Sequence, residues 1–195
     1  ENLDGAAQVI AVFDEQGDGV DQLQSGEAGI VVTDKTPFYA ESGGQVGDIG
    51  RIVGDTFEFH VRDTQVSAAQ HLHIGTVVSG GIEPGSTGVA EVAAIERDGT
   101  RANHSATHLL HAALRSVLGA HVQQKGSLVN AEKLRFDFSH EGGVTREQLA
   151  QIEDQVCEQI RGNTAVNTQL MPFEEAVASG AMALFGEKYA DEVRV

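Results

Sequence analysis

Glycine punctuation over the first half of the chain constrains the fold most. Ala6-Ala-Gln-Val-Ile-Ala-Val-Phe13 is a β-prone run closed by Asp14-Glu-Gln-Gly-Asp-Gly19. Gly29-Ile-Val-Val-Thr33 is a second run, ended by the turn residues Asp34-Lys-Thr-Pro37. Residues 49–53, 56–61, 75–78 and 88–94 continue the pattern, with a loop at Gly80, Gly81, Pro84 and Gly85. Many short strands with frequent glycine turns predict a small β-barrel over residues 1–97. Near Arg97-Asp-Gly-Thr100 the texture changes. A helix is expected from about 100 to 118, stopped by Gly119. Residues 127–129 and 134–139 read as a hairpin across Asn130-Ala-Glu-Lys133, and Leu134, Phe136 and Phe138 alternate to one face. Thr145 and Gln148 make a capping box for a helix striped by Leu149, Ile152, Val156 and Ile160, ending at Gly162. A strand over 166–171, a short helix over 173–178 and a strand beginning at Val193 complete the pattern. The class expected is α+β: an N-terminal small β-barrel over 1–97, then a two-layer α/β domain over 98–195, its helices on an antiparallel sheet.

A hydrophobic share of 41% and a charged share of 22% suit a packed core and exclude global disorder. No apolar run approaches the ~18 residues a membrane helix needs, so no membrane partner is expected. The N-terminus lacks the basic segment of a signal peptide. A lone cysteine, Cys157, fits a reducing cytoplasm. The net charge of −16, from 29 acidic and 13 basic residues, works against broad contact with a phosphate backbone. Most of it is read as a solubility feature.

His104 and His108 carry the strongest chemical signal. Spacing of i, i+4 puts both imidazoles on one helix face, close enough to hold one metal ion. Alone, HxxxH is a weak signal, and a polar helix face without metal is the competing interpretation. His111 shares that face at i+7 and is read as a neighbour. Cys157 lies on an amphipathic helix without a histidine four residues later, and is read as a buried small hydrophobe. The Ser42-Gly-Gly-Gln45 loop lacks the phosphate-loop pattern; its glycines suit a tight turn or a close backbone approach. His60, His71, His73, His121 and His140 show no ligand spacing except His71-Leu-His73, read as incidental. No Ser-His-Asp or Cys-His arrangement is legible.

Five segments carry a resemblance: Thr36-Pro-Phe-Tyr-Ala-Glu-Ser-Gly-Gly-Gln-Val-Gly-Asp48, Asn103-His-Ser-Ala-Thr-His108, Gln124-Lys-Gly-Ser-Leu-Val129, Leu134-Arg-Phe-Asp-Phe-Ser139 and Gly180-Ala-Met-Ala-Leu-Phe-Gly-Glu-Lys-Tyr189. Their content and order resemble the editing region of alanyl-tRNA synthetases. That resemblance makes 98–195 the second additional domain shared by threonyl- and alanyl-tRNA synthetases, truncated at its C-terminus. It implies zinc as cofactor, with His104 and His108 as ligands. The family's other two ligands stand in a downstream Cys-Gly-Gly-Thr-His segment, and this sequence ends at Val195 before it. Zinc is therefore expected to bind weakly or not at all here, and the fragment alone is expected to be inactive.

The resemblance also puts Gln124 in the substrate pocket, with Ser127 a weaker candidate; an exposed loop amide is the alternative for Gln124. The implied reaction is hydrolysis of seryl- or glycyl-tRNA(Ala). The parent enzyme would join alanine to tRNA(Ala) with ATP, both small substrates binding in another domain. The implied partner is the acceptor end of tRNA(Ala), with affinity supplied mostly by other domains. A free-standing trans-editing deacylase and a metal-free structural or RNA-docking module are the rival expectations.

Overall fold

The structure, a computed structural model, describes residues 2–165, 167–181 and 190–195. Packing divides the chain into two compact units, Glu1–Cys157 and Glu158–Val195.

The first unit begins with seven strands: β1 (Asp4–Asp14), β2 (Leu23–Gln24), β3 (Ala28–Thr33), β4 (Gly50–Val53), β5 (Phe57–Ser67), β6 (Gln70–Ile82) and β7 (Thr87–Val92). Six of them close an antiparallel barrel in the order β6-β3-β1-β7-β4-β5, with β5 pairing back to β6, while β2 extends from β6. Closure removes exposed sheet edges, which a glycine-broken set of strands would otherwise leave open. The barrel is filled by Val9, Val12, Val31, Ile52, Phe59, Val77 and their neighbours, with Phe38 plugging it from the loop after β3. The expected short runs at 56–61 and 75–78 are the middles of much longer strands. β5 and β6 continue into a two-residue turn at Ala68 and Ala69, both with positive φ (48° and 64°). Such turns ordinarily carry asparagine or glycine, so two alanines gave no turn signal.

One histidine lies inside the barrel. His73 is fully buried. Its Nδ1–H donates to the Val31 carbonyl (2.9 Å), and its Nε2 accepts from the Thr36 hydroxyl (2.8 Å). Both ring nitrogens are thus satisfied, and burial lowers the pKa to about 4. The expectation that His71 and His73 form an incidental pair misses this cross-strand bracket.

Helix α1 (Ala94–Leu118) starts about six residues before the expected boundary and runs through Arg97-Asp-Gly-Thr100. Two tertiary contacts override the glycine there. Arg97 forms a buried ion pair with Asp48, and its second amino group donates to the Pro37 carbonyl (3.0 Å). At Gly99, an added Cβ would lie 2.8 Å from the Ala131 carbonyl, so only glycine lets α1 approach that turn. Asn103 completes the attachment, its amide donating to the Asn130 carbonyl (2.8 Å).

Strands β8 (Gln124–Val129) and β9 (Leu134–Phe138) form the expected hairpin, and α2 (Arg146–Gly162) follows. The capping box is present: Gln148 N–H donates to the Thr145 hydroxyl (3.2 Å), and Thr145 N–H to the Gln148 side chain (2.9 Å). A second core joins Ala113, Leu114, Val122 and Ile152 with Phe136, Phe138 and Val156. Only half of the α2 stripe is used, since Leu149 and Ile160 are about 54% and 55% exposed. Cys157 is half-buried instead of fully buried.

The second unit holds β10 (Leu170–Pro172), α3 (Phe173–Ala178) and β11 (Glu192–Arg194), with β10 and β11 antiparallel. The expected strand over 166–171 is confined to its last two residues and Pro172. Val166, and residues 182–189 of the Gly180–Tyr189 segment, lie outside the described residues. No helix among the described residues is long and apolar enough to cross a membrane.

Candidate functional site

The site is assembled where the loop between β3 and β4 leaves the barrel and meets α1 and β8. The loop is held to the barrel by Asp48 and Thr64. Thr64 donates its hydroxyl proton to the Asp48 carbonyl (2.8 Å), and the Asp48 carboxylate accepts from Tyr39 N–H (2.6 Å). Ser42 and Gln45 exchange a pair of backbone hydrogen bonds (3.1 and 3.0 Å), closing a tight turn over Gly43 and Gly44. The turn lies along β8: Val129 N–H donates to the Gly44 carbonyl (2.8 Å), and Val46 N–H to the Val129 carbonyl (3.0 Å). Gly44 has φ +84°, and a Cβ there would stand 2.5 Å from the Ser127 carbonyl and hydroxyl oxygens. Glycine is required on both counts. The Ser42–Gln45 loop is thus the close backbone approach that its glycines suggested.

Two sequence-selected residues, His104 and Ser127, touch this loop, and two more, His108 and Gln124, stand beside them. His104 donates its Nδ1–H to the Gln45 side-chain oxygen (2.7 Å). The rings of His104 and His108 lie 5.1 Å apart, centre to centre, tilted by 44°. On the other flank, the Gln124 amide donates to the Ser127 hydroxyl (3.2 Å), which reaches the Gly43 carbonyl at 3.5 Å. Gln124 stands exposed at the start of a strand, not in a loop. Burial of the ring, and secondarily charge on His108, lowers the His104 pKa. His104 is therefore neutral near pH 7, the form that can act as a metal ligand.

The donor chemistry suits a borderline divalent metal: two imidazoles on successive turns, one with its second nitrogen unprotonated. Among the described residues, no cluster of three histidine, cysteine or acidic side chains could hold a metal. His111 does not join the pair. It is buried at 7% exposure, its ring 5.2 Å from Phe136, and its Nε2 has no hydrogen-bond partner among the described residues. Sequence spacing also missed His121 and His140. Their rings stack, with His121 Nε2 3.0 Å from His140 Nδ1, because the two flanks of the β8–β9 hairpin meet there. Gln45 itself was singled out only as part of a glycine loop. The HxxxH periodicity could not reveal a partner 59 residues away.

Comparison with known proteins fits this architecture. The family described as tRNA synthetases class II (A) matches residues 1–95, which span the barrel. The barrel is thus similar to part of a class II tRNA synthetase. An alanine–tRNA ligase of Saccharophagus degradans is 55% identical over 193 residues, and one of Pseudomonas entomophila 53% identical over 195. These alignments cover 99% and 100% of this chain but only 22% of each ligase. By this similarity along its whole length, the chain belongs to the alanyl-tRNA synthetase family. It spans about a fifth of the length of those relatives.

Proposed function

We propose that this chain carries the editing site of an alanyl-tRNA synthetase, which hydrolyses seryl- or glycyl-tRNA(Ala). One observation carries the reading: the glycine turn links His104 through Gln45, and Ser127 and Gln124 through Gly43, into one hydrogen-bonded network. The relatives' stated activity, alanine–tRNA ligation, favours a synthetase over a free-standing deacylase or a structural module. In this reading the acceptor end of tRNA(Ala) is the partner. ATP and alanine are used elsewhere in the whole enzyme.

His104 and His108 would hold zinc. When bound, zinc polarises a water or the ester and orients the aminoacyl group. The chain's own side chains supply selectivity. Serine differs from alanine by one hydroxyl, and a pocket that hydrogen-bonds it leaves polar groups unpaired when alanine enters. The Gln124–Ser127 pair suits that task. Gln124 keeps its oxygen free of any hydrogen bond found among the described residues, and the Ser127 hydroxyl has only a distant acceptor. Both can turn toward a substrate hydroxyl at little cost.

The test uses the whole synthetase. His104→Ala and His108→Ala are expected to lower single-turnover hydrolysis of seryl-tRNA(Ala) while leaving alanine-dependent pyrophosphate exchange intact. Equal losses in both assays would refute a localised editing site. Gln124→Leu is expected to slow serine release by roughly 5- to 150-fold, the rate equivalent of about 1–3 kcal/mol. Glycine release should fall less, because glycine offers no hydroxyl. Equal falls would place Gln124 on the shared ester instead.

A further inference from the structure

We propose that Tyr39 is a stacking platform for the terminal base of the tRNA acceptor end, holding that base while the ester is hydrolysed. The inference rests on the editing reading above and needs no metal. Tyr39 is the one exposed phenyl or phenol ring among the described residues, at 37% exposure. Rings of this size ordinarily bury their faces or pack on another aromatic. Among the described residues, no ring stacks on Tyr39. The ring is nonetheless held still. Tyr39 N–H donates to the Asp48 carboxylate (2.6 Å), and Asp48 N–H donates to the Tyr39 carbonyl (2.9 Å). At its far end the Tyr39 hydroxyl donates to the Ser42 carbonyl (3.2 Å). A ring fixed in this way loses little freedom when a ligand covers it.

Tyr39 belongs to the loop that builds the site. Its hydroxyl is bonded to Ser42, and the same turn carries Gln45, which meets His104, and Gly43, which meets Ser127. The terminal nucleotide carries the aminoacyl ester on its ribose, so its base must lie near the groups that handle the ester. Charge decides which part of that nucleotide this chain can hold. A net charge of −16 with 13 basic residues disfavours phosphate contacts. Stacking on a base face needs no cation. The bases of a single-stranded RNA end are also free to lie against an aromatic side chain. A rigid, exposed ring beside the site is therefore the recognition an acidic surface can offer.

The test uses the whole synthetase and seryl-tRNA(Ala) charged by a ribozyme, with either adenine or no base on its terminal nucleotide. Tyr39→Leu keeps an apolar side chain but removes the ring face. It should lower kcat/KM for hydrolysis of the adenine substrate by roughly 5- to 150-fold. Tyr39→Phe keeps the ring and should keep most of that rate. On the base-free substrate, the unaltered enzyme should be as slow as Tyr39→Leu is on the adenine one, and Tyr39→Leu should lose little more. If Tyr39→Leu slows both substrates by the same factor, the side chain only shapes the turn and the proposal is overturned. If Tyr39→Phe falls as far as Tyr39→Leu, the hydroxyl bond to Ser42 carries the effect, which also overturns it. Full hydrolysis by Tyr39→Leu refutes the stacking alone and leaves the editing reading standing. If the unaltered enzyme hydrolyses neither substrate, the editing reading falls and the stacking falls with it.

Discussion

The barrel and the helix–hairpin region meet buried polar chemistry in opposite ways. Inside the barrel, His73 and Thr64 are fully buried, and their side-chain polar atoms are paired with strand or loop partners. Across α1, β8 and β9, Gln124 stands exposed, His104 reaches the surface with its ring partly covered, and buried His111 leaves one nitrogen unpaired among the described residues. The barrel uses polar groups as brackets; the helix and hairpin present them. Each alone would be an incomplete site. The loop around Gly44 and Asp48 joins them, because it is pinned to the barrel while its turn lies on β8.

The largest test of that division is the joint itself. Asp48→Ala removes the buried carboxylate paired with the Arg97 guanidinium and is expected to cost about 3–5 kcal/mol in urea unfolding. The exposed Arg51–Glu91 pair on the barrel wall (2.7 Å) should cost far less when broken by Glu91→Ala, because solvent screens it. Similar losses from both would mean that the Asp48–Arg97 contact is no special joint.

Acid sharpens the comparison next. His73 has a folded pKa of about 4, below its ordinary 6.5. The unfolded chain therefore binds the proton first as pH falls. His73 contributes stability fully above about pH 6.5, and this is lost progressively down to about pH 4, by roughly 3 kcal/mol. Urea midpoints at pH 7, 5.5 and 4 should show this slope, and His73→Gln should flatten it. An unchanged slope would show that the acid sensitivity lies outside the barrel.

The smallest effect belongs to the β5–β6 turn. Ala69→Gly relieves a left-handed alanine and should stabilise the chain by about 1 kcal/mol, read from the urea midpoint. A lower urea midpoint would mean that the turn is not strained by its alanines.

The parts legible in the sequence are those governed by local rules. Helical spacing put His104 and His108 on one face, the Thr145–Gln148 box marked the start of α2, and alternation in Leu134, Phe136 and Phe138 gave β9. The places where this failed are those where a distant group overrides a local signal. Gly99 looked like a break until Ala131 and Asp48 made the helix worth continuing through it. Ala68 and Ala69 turn the chain without turn residues because the long β5–β6 ladder imposes it.

By itself, then, the sequence determined the α+β class, the glycine-punctuated strands, the paired histidines and the family. Backbone propensity, side-chain period and motif order are encoded over a few residues at a time. Only the tertiary structure decided that Gln45 meets His104, that Ser127 meets Gly43, that His73 is a bracket and that His121 stacks on His140. Those pairings depend on barrel closure and on how near α1 can approach the hairpin. Such approaches are set by the packing of many side chains together, which no short stretch of sequence specifies.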